Sequence, residues 1–290
     1  MTALLAALLV AGPWTQAGPT DRIAISPAAD FTIAGAGLVA WVVPELLKEQ
    51  LAPARCVVCD GDDDRGLPGT GSRGSLNGVD AYFHDAMTGW LIPRKTADTL
   101  SNIWSFALVP AGAFTAALLA TGPHASPGAG YRAAVIVGES AVVSAALVQG
   151  VKFFVARKRP FVRYGHGTDG RDPDTGTTYD AHDRDSHLSF PSGHTAFATS
   201  LGVSTAMTAT LEESRAAPWL WGAAAIMSVS AASLRMMSEK HYFTDAAAGA
   251  AIGAACGVVL PLLHRRGGAL AENSVSVAAQ GPSLVLTGVF

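Results

Sequence analysis

Residues 102–121 read NIWSFALVPAGAFTAALLAT, a stretch without a single charged residue. A helix of about 20 residues covers about 30 Å, the thickness of the hydrocarbon core of a bilayer. Five other segments have similar length and apolar character: 31–48, 132–151, 194–211, 217–234 and 243–263. The pattern predicts an all-α fold, a transmembrane bundle of about six helices. Because the segments are rich in Ala and modest in Leu and Ile, a soluble Ala-rich bundle is the alternative.

The composition supports a membrane protein and excludes several other classes. Of 290 residues, 49% are hydrophobic and only 15% are charged, and the mean hydropathy is +0.29. Soluble domains usually carry about 25% charged residues. The apolar content excludes a disordered chain, and three cysteines are too few for a disulfide-dense scaffold. The net charge is -3 and the basic residues form no continuous stripe, so we expect no nucleic-acid partner.

The ends of the chain differ from its apolar body. Residues 1–12 are apolar but too few to span a bilayer, and residues 15–17 (Thr-Gln-Ala) resemble a small-x-small cleavage site. No Lys or Arg precedes the apolar run, so a signal-like segment and a flexible apolar terminus both remain open. We divide the chain into an N-terminal segment 1–30, a helical domain 31–266 with its motif core at 132–263, and a tail 267–290.

Several conspicuous residues lie outside the main motifs. Cys56 and Cys59, in the polar loop 52–100, are consistent with a zinc half-site, a redox pair or a disulfide, and an extracytoplasmic loop favours the disulfide. The acidic run after them lacks the Gly and the final acid of an EF-hand loop, so we interpret it as solvated. Glu139 is costly in lipid and is expected to face the interior of the bundle. The acidic run comprises Asp60, Asp62 and Asp64.

The first of three polar clusters follows the segment 132–151. Lys152 and Arg159 are seven residues apart, which places them on one face of a helix, two turns apart. Pro160 disfavours helix for the residue before it and so ends the element. Two cations on one face of a helix end can bind an anion, although a positive flank that orients a membrane span has the same composition.

The second cluster, Pro191-Ser192-Gly193-His194, opens the segment 194–211. Pro and Ser are favoured at helix starts, and Gly193 allows the backbone to approach a ligand closely. Backbone N–H groups at a helix N-terminus bind phosphate oxygens, and a histidine there can transfer a proton near neutral pH. A capped helix start with a surface histidine is the alternative.

The third cluster lies between the segments 217–234 and 243–263. His241 and Asp245 have the i, i+4 spacing that brings both side chains to one face of a helix. A carboxylate can hold an imidazole in one tautomer and leave its other nitrogen as a nucleophile. Arg235 offers a planar fork of donors suited to phosphate. An ordinary charge pair at a helix end is the alternative.

Together the three clusters resemble the signature of the type 2 phosphatidic acid phosphatase superfamily. This superfamily includes lipid phosphate phosphatases, bacterial acid phosphatases and vanadium haloperoxidases. Its order of motifs, K-x6-R-P, then P-S-G-H, then R-x5-H-x3-D, is met in full. One departure stands before Arg235, where Leu234 replaces the usual serine and removes a possible hydroxyl contact. The resemblance covers roughly residues 100–265.

The resemblance implies a role for each matched residue. His241 would attack phosphorus and form a phosphohistidine, Asp245 would orient it, and His194 would protonate the leaving oxygen and then activate water. The groups that would bind the phosphoryl oxygens are Lys152, Arg159, Ser192, Gly193 and Arg235. Because three cations can neutralise the phosphoryl charge, we expect no metal and no cofactor. The remaining polar residues nearby are interpreted as flanking charge (Arg157, Lys158) or as solvated loop residues (His166, His182, His187).

We therefore expect a metal-independent phosphatase that acts on a phosphate monoester or pyrophosphate, with a lipid substrate and the membrane as its partners. Undecaprenyl pyrophosphate, phosphatidylglycerophosphate and phosphatidic acid all fit, and no residue selects among them. A vanadium-dependent haloperoxidase, a secreted soluble acid phosphatase and a non-catalytic membrane protein are the alternatives.

The six segments, if all span, bring the three clusters to one face of the membrane. Arg265 and Arg266 follow the last segment on the opposite side, which the positive-inside rule makes cytoplasmic. This predicts a bacterial-type inner-membrane protein with its active site facing the periplasm or exterior, and a secreted or periplasmic soluble form is the alternative. Cleavage at residue 17 together with a spanning segment 31–48 would reverse the orientation, and Pro44 and Glu45 weaken that segment as a span.

Overall fold

The computed structural model describes residues 17–58, 76–89, 91–167, 178–272, 276–280 and 283–287. Its helices are α1 (Pro27–Leu46), α2 (Lys48–Leu51), α3 (Gly78–Met87), α4 (Arg94–Ile103), α5 (Val109–Leu119), α6 (Ala129–Val155), α7 (Pro160–Arg163), α8 (Gly193–Leu211), α9 (Ala217–Met237), α10 (Phe243–Leu263) and α11 (Ala269–Glu272). A π-helical turn, Trp104–Leu108, joins α4 to α5, and a 3₁₀ turn, Arg184–His187, precedes α8. The expected all-α body is confirmed. The tail adds an antiparallel hairpin of β1 (Ser276–Gln280) and β2 (Ser283–Thr287), which the sequence analysis did not predict.

Five helical stretches of the described chain are long and apolar enough to cross a membrane. They are Pro27–Leu46, Arg94–Leu119, Ala129–Val155, Ala217–Met237 and Phe243–Leu263. The segment 194–211 forms the long helix α8, but α8 is not among these five stretches. The helix predicted at this place is confirmed, and the serines and threonines of α8 make it less apolar than the other long helices.

Helix α8 occupies the centre of the bundle, where it packs against α5, α6, α9 and α10. Most of its side chains are buried, so its hydroxyl groups need partners inside the protein. Ser200 Oγ donates to the Ser140 carbonyl of α6 at 2.9 Å, and Thr199 Oγ1 donates to Ser228 Oγ of α9 at 2.7 Å. These bonds join neighbouring helices where no hydrophobic force between them is available in lipid.

The outside of the bundle carries large apolar side chains, whereas its interior is built mainly from small ones. Trp219 on α9 is 82% exposed, and Leu119 and Ile226 are exposed as well. The buried positions include many Ala and Ser residues around a few larger side chains such as Ile136 and Leu201. A water-soluble bundle would bury its large apolar side chains, so this distribution favours lipid around the helices.

Helix α10 approaches α8 closely along a stripe of glycines spaced four residues apart. A Cβ at Gly249 would lie 2.4 Å from the Ser192 carbonyl oxygen, and one at Gly253 would lie 2.3 Å from the Ala196 carbonyl oxygen. Gly257 continues the stripe one turn further along. Only glycine permits this separation, which places the start of α10 directly beside the start of α8.

The long helices alternate in direction, so the ends that carry the three clusters meet at one end of the bundle. We name this the cationic end. At the opposite end, the Ala24 N–H donates to the His264 carbonyl at 2.9 Å and the Arg266 N–H donates to the Arg22 carbonyl at 2.8 Å. Ile23 is fully buried there. Residues 18–26, assigned from the sequence to a separate N-terminal segment, are thus packed onto the helical domain, while residues 1–16 lie outside the described residues.

Candidate active site

A cavity of about 480 Å³ lies at the cationic end and brings the three clusters together. Six of the eight predicted site residues line it: Lys152, Arg159, Gly193, His194, Arg235 and His241. The other two, Ser192 and Asp245, are fully buried behind its wall. The cavity is therefore lined by cations and by two histidines, one at the start of α8 and one in the loop between α9 and α10.

His241 presents one ring nitrogen to the cavity because the other is occupied. Its Nδ1 lies 2.5 Å from the Ser189 carbonyl oxygen, and since a carbonyl only accepts, Nδ1 carries the proton. Nε2 keeps its lone pair, and Arg159 Nη1 lies 3.5 Å from it. Burial, and after it the charges of Arg159 and Arg235, hold the pKa of His241 well below its usual value. The imidazole is neutral at pH 7, the form that can act as a nucleophile.

Asp245 supports His241 indirectly. The distance from His241 Nδ1 to Asp245 Oδ2 is 3.9 Å, too long for a hydrogen bond. Asp245 Oδ2 instead accepts from Ser189 Oγ at 2.6 Å and from the Tyr242 N–H at 2.9 Å. The expected direct contact is absent because α10 begins at Phe243, which leaves His241 outside the helical geometry. Ser189 is thus the link between the carboxylate and the imidazole.

Arg157, which the sequence analysis interpreted as flanking charge, belongs to the same network. Its Nη1 donates to Asp245 Oδ1 at 2.7 Å, and its Nη2 donates to Asp80 Oδ2 at 2.9 Å. Its guanidinium lies over the Tyr242 ring, 4.2 Å from the centroid. Asp80, on α3, also accepts from the Thr244 N–H at 2.8 Å. One guanidinium therefore holds two buried carboxylates and ties α3 to the start of α10.

The cations that face the cavity differ in how they are held. Lys152 is buried and forms no hydrogen bond or ion pair within the described part of the chain, and a Cβ on Gly193 would lie 3.6 Å from its Nζ. Arg159 Nη2 lies 2.9 Å from an Asp185 carboxylate oxygen. Burial acts to raise the pKa of Asp185, but Arg159 and the neighbouring lysines outweigh it and hold this pKa far below its usual value. Asp185 is therefore ionised and partly neutralises the cations.

Helix α4 contributes a polar face that orients two of the predicted site residues. Arg235 Nη1 donates to Asp98 Oδ1 at 2.6 Å and to Ser101 Oγ at 3.0 Å. On the same face, Asn102 Oδ1 lies 2.7 Å from His194 Nε2. The spacing of these α4 residues is a helical signal, but the sequence analysis assigned most of α4 to the polar loop and did not use it.

Ser192 caps α8 and does not line the cavity. Its Oγ lies 2.9 Å from Thr195 Oγ1 and accepts from the Thr195 N–H at 3.5 Å. Its backbone N–H donates to the Asp245 carbonyl at 2.9 Å. In the structure the Ser192 hydroxyl is turned toward the start of the helix, and the expected binding of phosphate by Ser192 stays a prediction. Gly193 keeps the place at the cavity that its position at the helix start predicts.

An aromatic wall, formed by Trp41, Phe106 and Phe197, lines one side of the cavity. The ring centroids of Trp41 and Phe197 are 5.3 Å apart, and Phe106 packs edge-on against the His194 ring at 4.7 Å. Trp41 comes from α1 and Phe106 from the π-helical turn, an irregularity that is frequent at functional sites. Sequence reasoning did not identify this wall, because its members lie on three helices far apart in the chain.

The three loop histidines lie near the site but are not among the residues that line the cavity. His166 Nδ1 lies 2.8 Å from an oxygen of the fully buried Glu239. His187 Nδ1 lies 2.6 Å from Ser186 Oγ, and burial followed by the charges of neighbouring cations lowers the pKa of His187 to about 4. The backbone N–H of His182 donates to an Asp180 carboxylate oxygen at 2.8 Å. His166 and His182 are exposed, in keeping with the interpretation as solvated loop residues, whereas His187 is half-buried.

Cys56 lies on the same end of the bundle as the cavity and is disulfide-bonded. The adjacent backbone is tied to the first cluster, since the Val57 N–H donates to the Ala156 carbonyl at 3.0 Å. Cys59 and the acidic run at Asp60, Asp62 and Asp64 lie outside the described residues. Cys256 is buried in α10 and is a free thiol.

The site is thus a cavity among long apolar helices that is lined, in the described part of the chain, by two histidines and by five Lys and Arg side chains. Comparison with models of known protein families identifies the family. The model described as PAP2 superfamily matches residues 133–268, which contain all three clusters. This stretch therefore belongs to the PAP2 superfamily, and the resemblance found in the motifs is confirmed. A search of curated proteins found no match.

Proposed function

We propose that the protein is a phosphatase that hydrolyses the phosphate monoester or pyrophosphate group of a lipid through a phosphohistidine. One observation carries the proposal. The His241 ring is neutral, its Nδ1 is held by the Ser189 carbonyl, and its Nε2 faces Arg159 in the cavity. A nucleophile fixed in one tautomer beside preorganised cations is what attack on a phosphoryl group needs. Membership of the PAP2 superfamily supports a phosphatase or haloperoxidase-like function.

In the proposed reaction, His241 Nε2 attacks phosphorus and the bond from phosphorus to the leaving oxygen breaks. His241 Nδ1 keeps its proton, so the ring becomes positive as the P–N bond forms, and the Ser189–Asp245 link stabilises that charge. His194, whose pKa is held well below its usual value by burial and by neighbouring cations, takes up a proton with the anionic substrate and gives one from Nε2 to the leaving oxygen. In the structure, Nε2 faces Asn102 Oδ1. His194 then accepts a proton from water, and the hydroxide displaces His241 from phosphorus, which releases inorganic phosphate and restores both rings.

Three side chains would hold the phosphoryl oxygens during these steps: Lys152, Arg159 and Arg235. Lys152 has no other partner in the described chain, and Arg235 is aimed by Asp98. Fixed cations and the Gly193 N–H at a helix start stabilise charge spread over the equatorial oxygens. We therefore propose that the reaction itself does not use a metal ion.

The aromatic wall supports a lipid substrate. A soluble phosphate ester needs only the cationic side of the cavity, whereas the opposite side presents Trp41, Phe106 and Phe197. These rings adjoin His194, where the leaving group would depart, so an acyl or isoprenoid tail on that group would lie against them. The apolar outer surface of the bundle places such a cavity within reach of a bilayer.

We also propose that the cavity faces the periplasm or exterior. Cys56 is disulfide-bonded and lies at the cationic end. Disulfides persist in oxidising compartments and are rare in the cytosol. Labelling of single cysteines in intact cells by a membrane-impermeant reagent tests this orientation. Labelling at Arg55→Cys but not at Arg265→Cys is expected, and the reverse pattern overturns it.

Release of inorganic phosphate by the detergent-purified chain in EDTA tests the enzymatic proposal. Undecaprenyl pyrophosphate, phosphatidic acid and a soluble aryl phosphate would be compared, with wild type beside His241→Ala. We expect release from a lipid by wild type and none by the variant. Wild-type activity in the variant overturns the phosphohistidine, and release from the aryl ester alone favours a soluble acid phosphatase. Bromide oxidation with vanadate, without phosphate release, favours a haloperoxidase.

A pair of tryptophan variants tests the lipid part separately. Trp41→Ala removes a ring of the aromatic wall, whereas Trp219→Ala removes an exposed ring from the outer surface of α9. We expect Trp41→Ala to raise KM for the lipid substrate about tenfold, the effect of about 1.4 kcal/mol of lost contact, and to leave the soluble ester unchanged. Equal effects of the two variants would remove the support for a lipid tail at this wall.

A further inference from the structure

A second polar cluster lies inside the bundle, away from the cavity. It consists of Asp30 on α1, Glu139 on α6 and His264 at the end of α10, and all three side chains are fully buried. We name it the acidic triad. Glu139 precedes Lys152 on α6 by 13 residues, which is about 20 Å at the helical rise of about 1.5 Å per residue. The triad is therefore separate from the proposed phosphatase site.

The hydrogen bonding of His264 places its Nε2 between two carboxylates. Its Nδ1 lies 2.8 Å from the Leu260 carbonyl oxygen, so Nδ1 carries a proton and donates. Its Nε2 lies 3.1 Å from Asp30 Oδ1 and 3.2 Å from Glu139 Oε2. A histidine that binds a metal usually donates its other ring N–H to a backbone carbonyl or a carboxylate, which fixes the orientation of the ring. The contact of Nδ1 with the Leu260 carbonyl has this form.

Three of the four carboxylate oxygens lack a hydrogen bond to the described residues. Asp30 Oδ2 and both oxygens of Glu139 are buried without a hydrogen bond. Within the described part of the chain, neither carboxylate forms an ion pair with Lys or Arg. Two buried carboxylates with a single imidazole beside them leave uncompensated negative charge in a medium of low dielectric constant, which is strongly unfavourable unless a further cation compensates it.

We propose that the acidic triad binds a divalent transition-metal ion, with zinc as the best fit to its ligands. Zinc is bound in proteins by His nitrogen and by Asp or Glu oxygen, and sites with three protein ligands are established. At bond lengths of about 2.0–2.2 Å, tetrahedral zinc holds its ligand atoms about 3.3–3.5 Å apart. The distances of 3.1 and 3.2 Å from His264 Nε2 to the two oxygens are close to that value. The second oxygen of Glu139 can fill the fourth position.

Such an ion would join a residue outside the range of the family match to two residues inside it. Asp30 lies before the matched residues 133–268, whereas Glu139 and His264 lie within them. Asp30 and His264 are also far apart in sequence, so one ion would close a very long loop between the start of α1 and the end of α10. The role of the ion is structural: it fixes α1, which carries Trp41 of the aromatic wall, against α6 and α10.

Metal analysis of the full-length protein tests the proposal. Protein produced in zinc-supplemented medium and purified in detergent without chelators would be measured by inductively coupled plasma mass spectrometry. We expect on the order of one zinc per chain in wild type and a large loss of it in Glu139→Gln. His241→Gln, at the cationic end, is the matched control and should keep the metal. Equal zinc in wild type and Glu139→Gln overturns the proposal, as does wild type free of any transition metal.

A second measurement covers the case in which Glu139→Gln does not fold. Cobalt would be added to wild-type protein that has been stripped of metal with a strong chelator in detergent. Visible absorption bands typical of tetrahedral cobalt, together with a rise in Tm, are expected, and zinc should displace the bands. No bands and no change in Tm overturn the proposal. Both readouts are independent of phosphate release, so failure of the proposed enzymatic function leaves them unaffected.

Discussion

The cavity at the cationic end and the acidic triad are built on the same long helices but gather side chains of opposite charge. At the cationic end, Lys152 has no partner in the described chain and faces a cavity of about 480 Å³. In the acidic triad, Glu139 is enclosed and its carboxylate oxygens lack hydrogen bonds. Buried charge is strongly unfavourable unless an opposite charge compensates it. The open cavity is therefore suited to an anion that enters and leaves, and the enclosed acidic triad is suited to a cation that stays bound.

The largest effect is expected from removing the proposed nucleophile. His241→Ala should lower phosphate release about 10⁴-fold or more, since no other group can form the phosphohistidine. The three cations remain, so the variant should still bind inorganic phosphate or vanadate and rise in Tm when either is added. Phosphate release and thermal shift on the same preparation check both statements. Loss of anion binding together with activity would show that the change damaged the whole cationic end.

Replacing the cation beside the nucleophile should have the next largest effect. Arg159 contacts Asp185 through Nη2 and lies beside His241 Nε2 through Nη1, a geometry that requires a planar fork. Arg159→Lys should lower kcat/KM about 10²–10³-fold, as the loss of one preorganised donor does in other enzymes. Lys158→Arg is the control that keeps the local charge. The zinc content should be unchanged in both variants. A change in zinc content would contradict the proposal that the cavity and the acidic triad are separate sites.

A smaller effect is expected at Arg157, which holds Asp245 and Asp80 but does not line the cavity. Arg157→Lys can pair with only one of the two carboxylates, so His241 should lose its fixed position. Loss of one hydrogen bond between charged groups, about 1.5–3 kcal/mol, predicts a fall in kcat of roughly 10- to 100-fold. KM should stay nearly constant, because a positioning residue does not touch substrate. A large rise in KM with constant kcat would contradict this role.

The contact of Asn102 with His194 predicts an effect that depends on the leaving group. Asn102→Ala should leave the His194 tautomer less well fixed and so weaken the transfer of a proton to the leaving oxygen. An alkyl or lipid phosphate needs this proton, whereas an aryl leaving group departs largely without it. We expect about a tenfold loss of kcat for the lipid phosphate and little loss for the aryl ester. Equal losses for both substrates would mean that Asn102 has another role.

The smallest effect is a dependence of stability on pH at the cationic end. His241 and His187 have pKa values lowered by burial and by neighbouring cations, that of His187 to about 4. Their folded-state pKa values lie below the unfolded one, so their stability contribution is complete above about pH 6.5 and is lost as the pH falls. We expect Tm to fall by roughly 2–4 °C per pH unit between about pH 6 and pH 4. His187→Gln should reduce this slope. An unchanged slope would show that groups other than His187 cause the dependence of Tm on pH.

Much of the candidate site could be predicted from the sequence because the signature residues lie at helix boundaries. Lys152, His194 and Arg235 are each fixed by the helix that carries them, so spacing alone brought them to one end. The contact between His241 and Asp245 was not predicted correctly, because it depends on where α10 begins and on a backbone carbonyl of Ser189.

Contacts between distant parts of the chain were beyond the sequence analysis. Asp98 and Asn102 reach the site from a helix outside the motifs, and the pairing of Asp30 with His264 joins the two ends of the helical domain. The position of α8 is a related case: its sequence predicts a long helix, but not that this helix lies at the centre with four others around it. Local pattern identifies which residues are polar, but the fold determines which of them meet.

The polar face of α4 has a consequence for how this protein can be divided. The family match begins at residue 133, yet Asp98, Ser101 and Asn102 hold Arg235 and His194 from outside it. A chimera that transplants only the matched stretch into a related scaffold would carry every signature residue and leave two of them without their supports. For engineering, the smallest transferable unit therefore begins no later than Arg94, the first residue of α4, well before the signature itself.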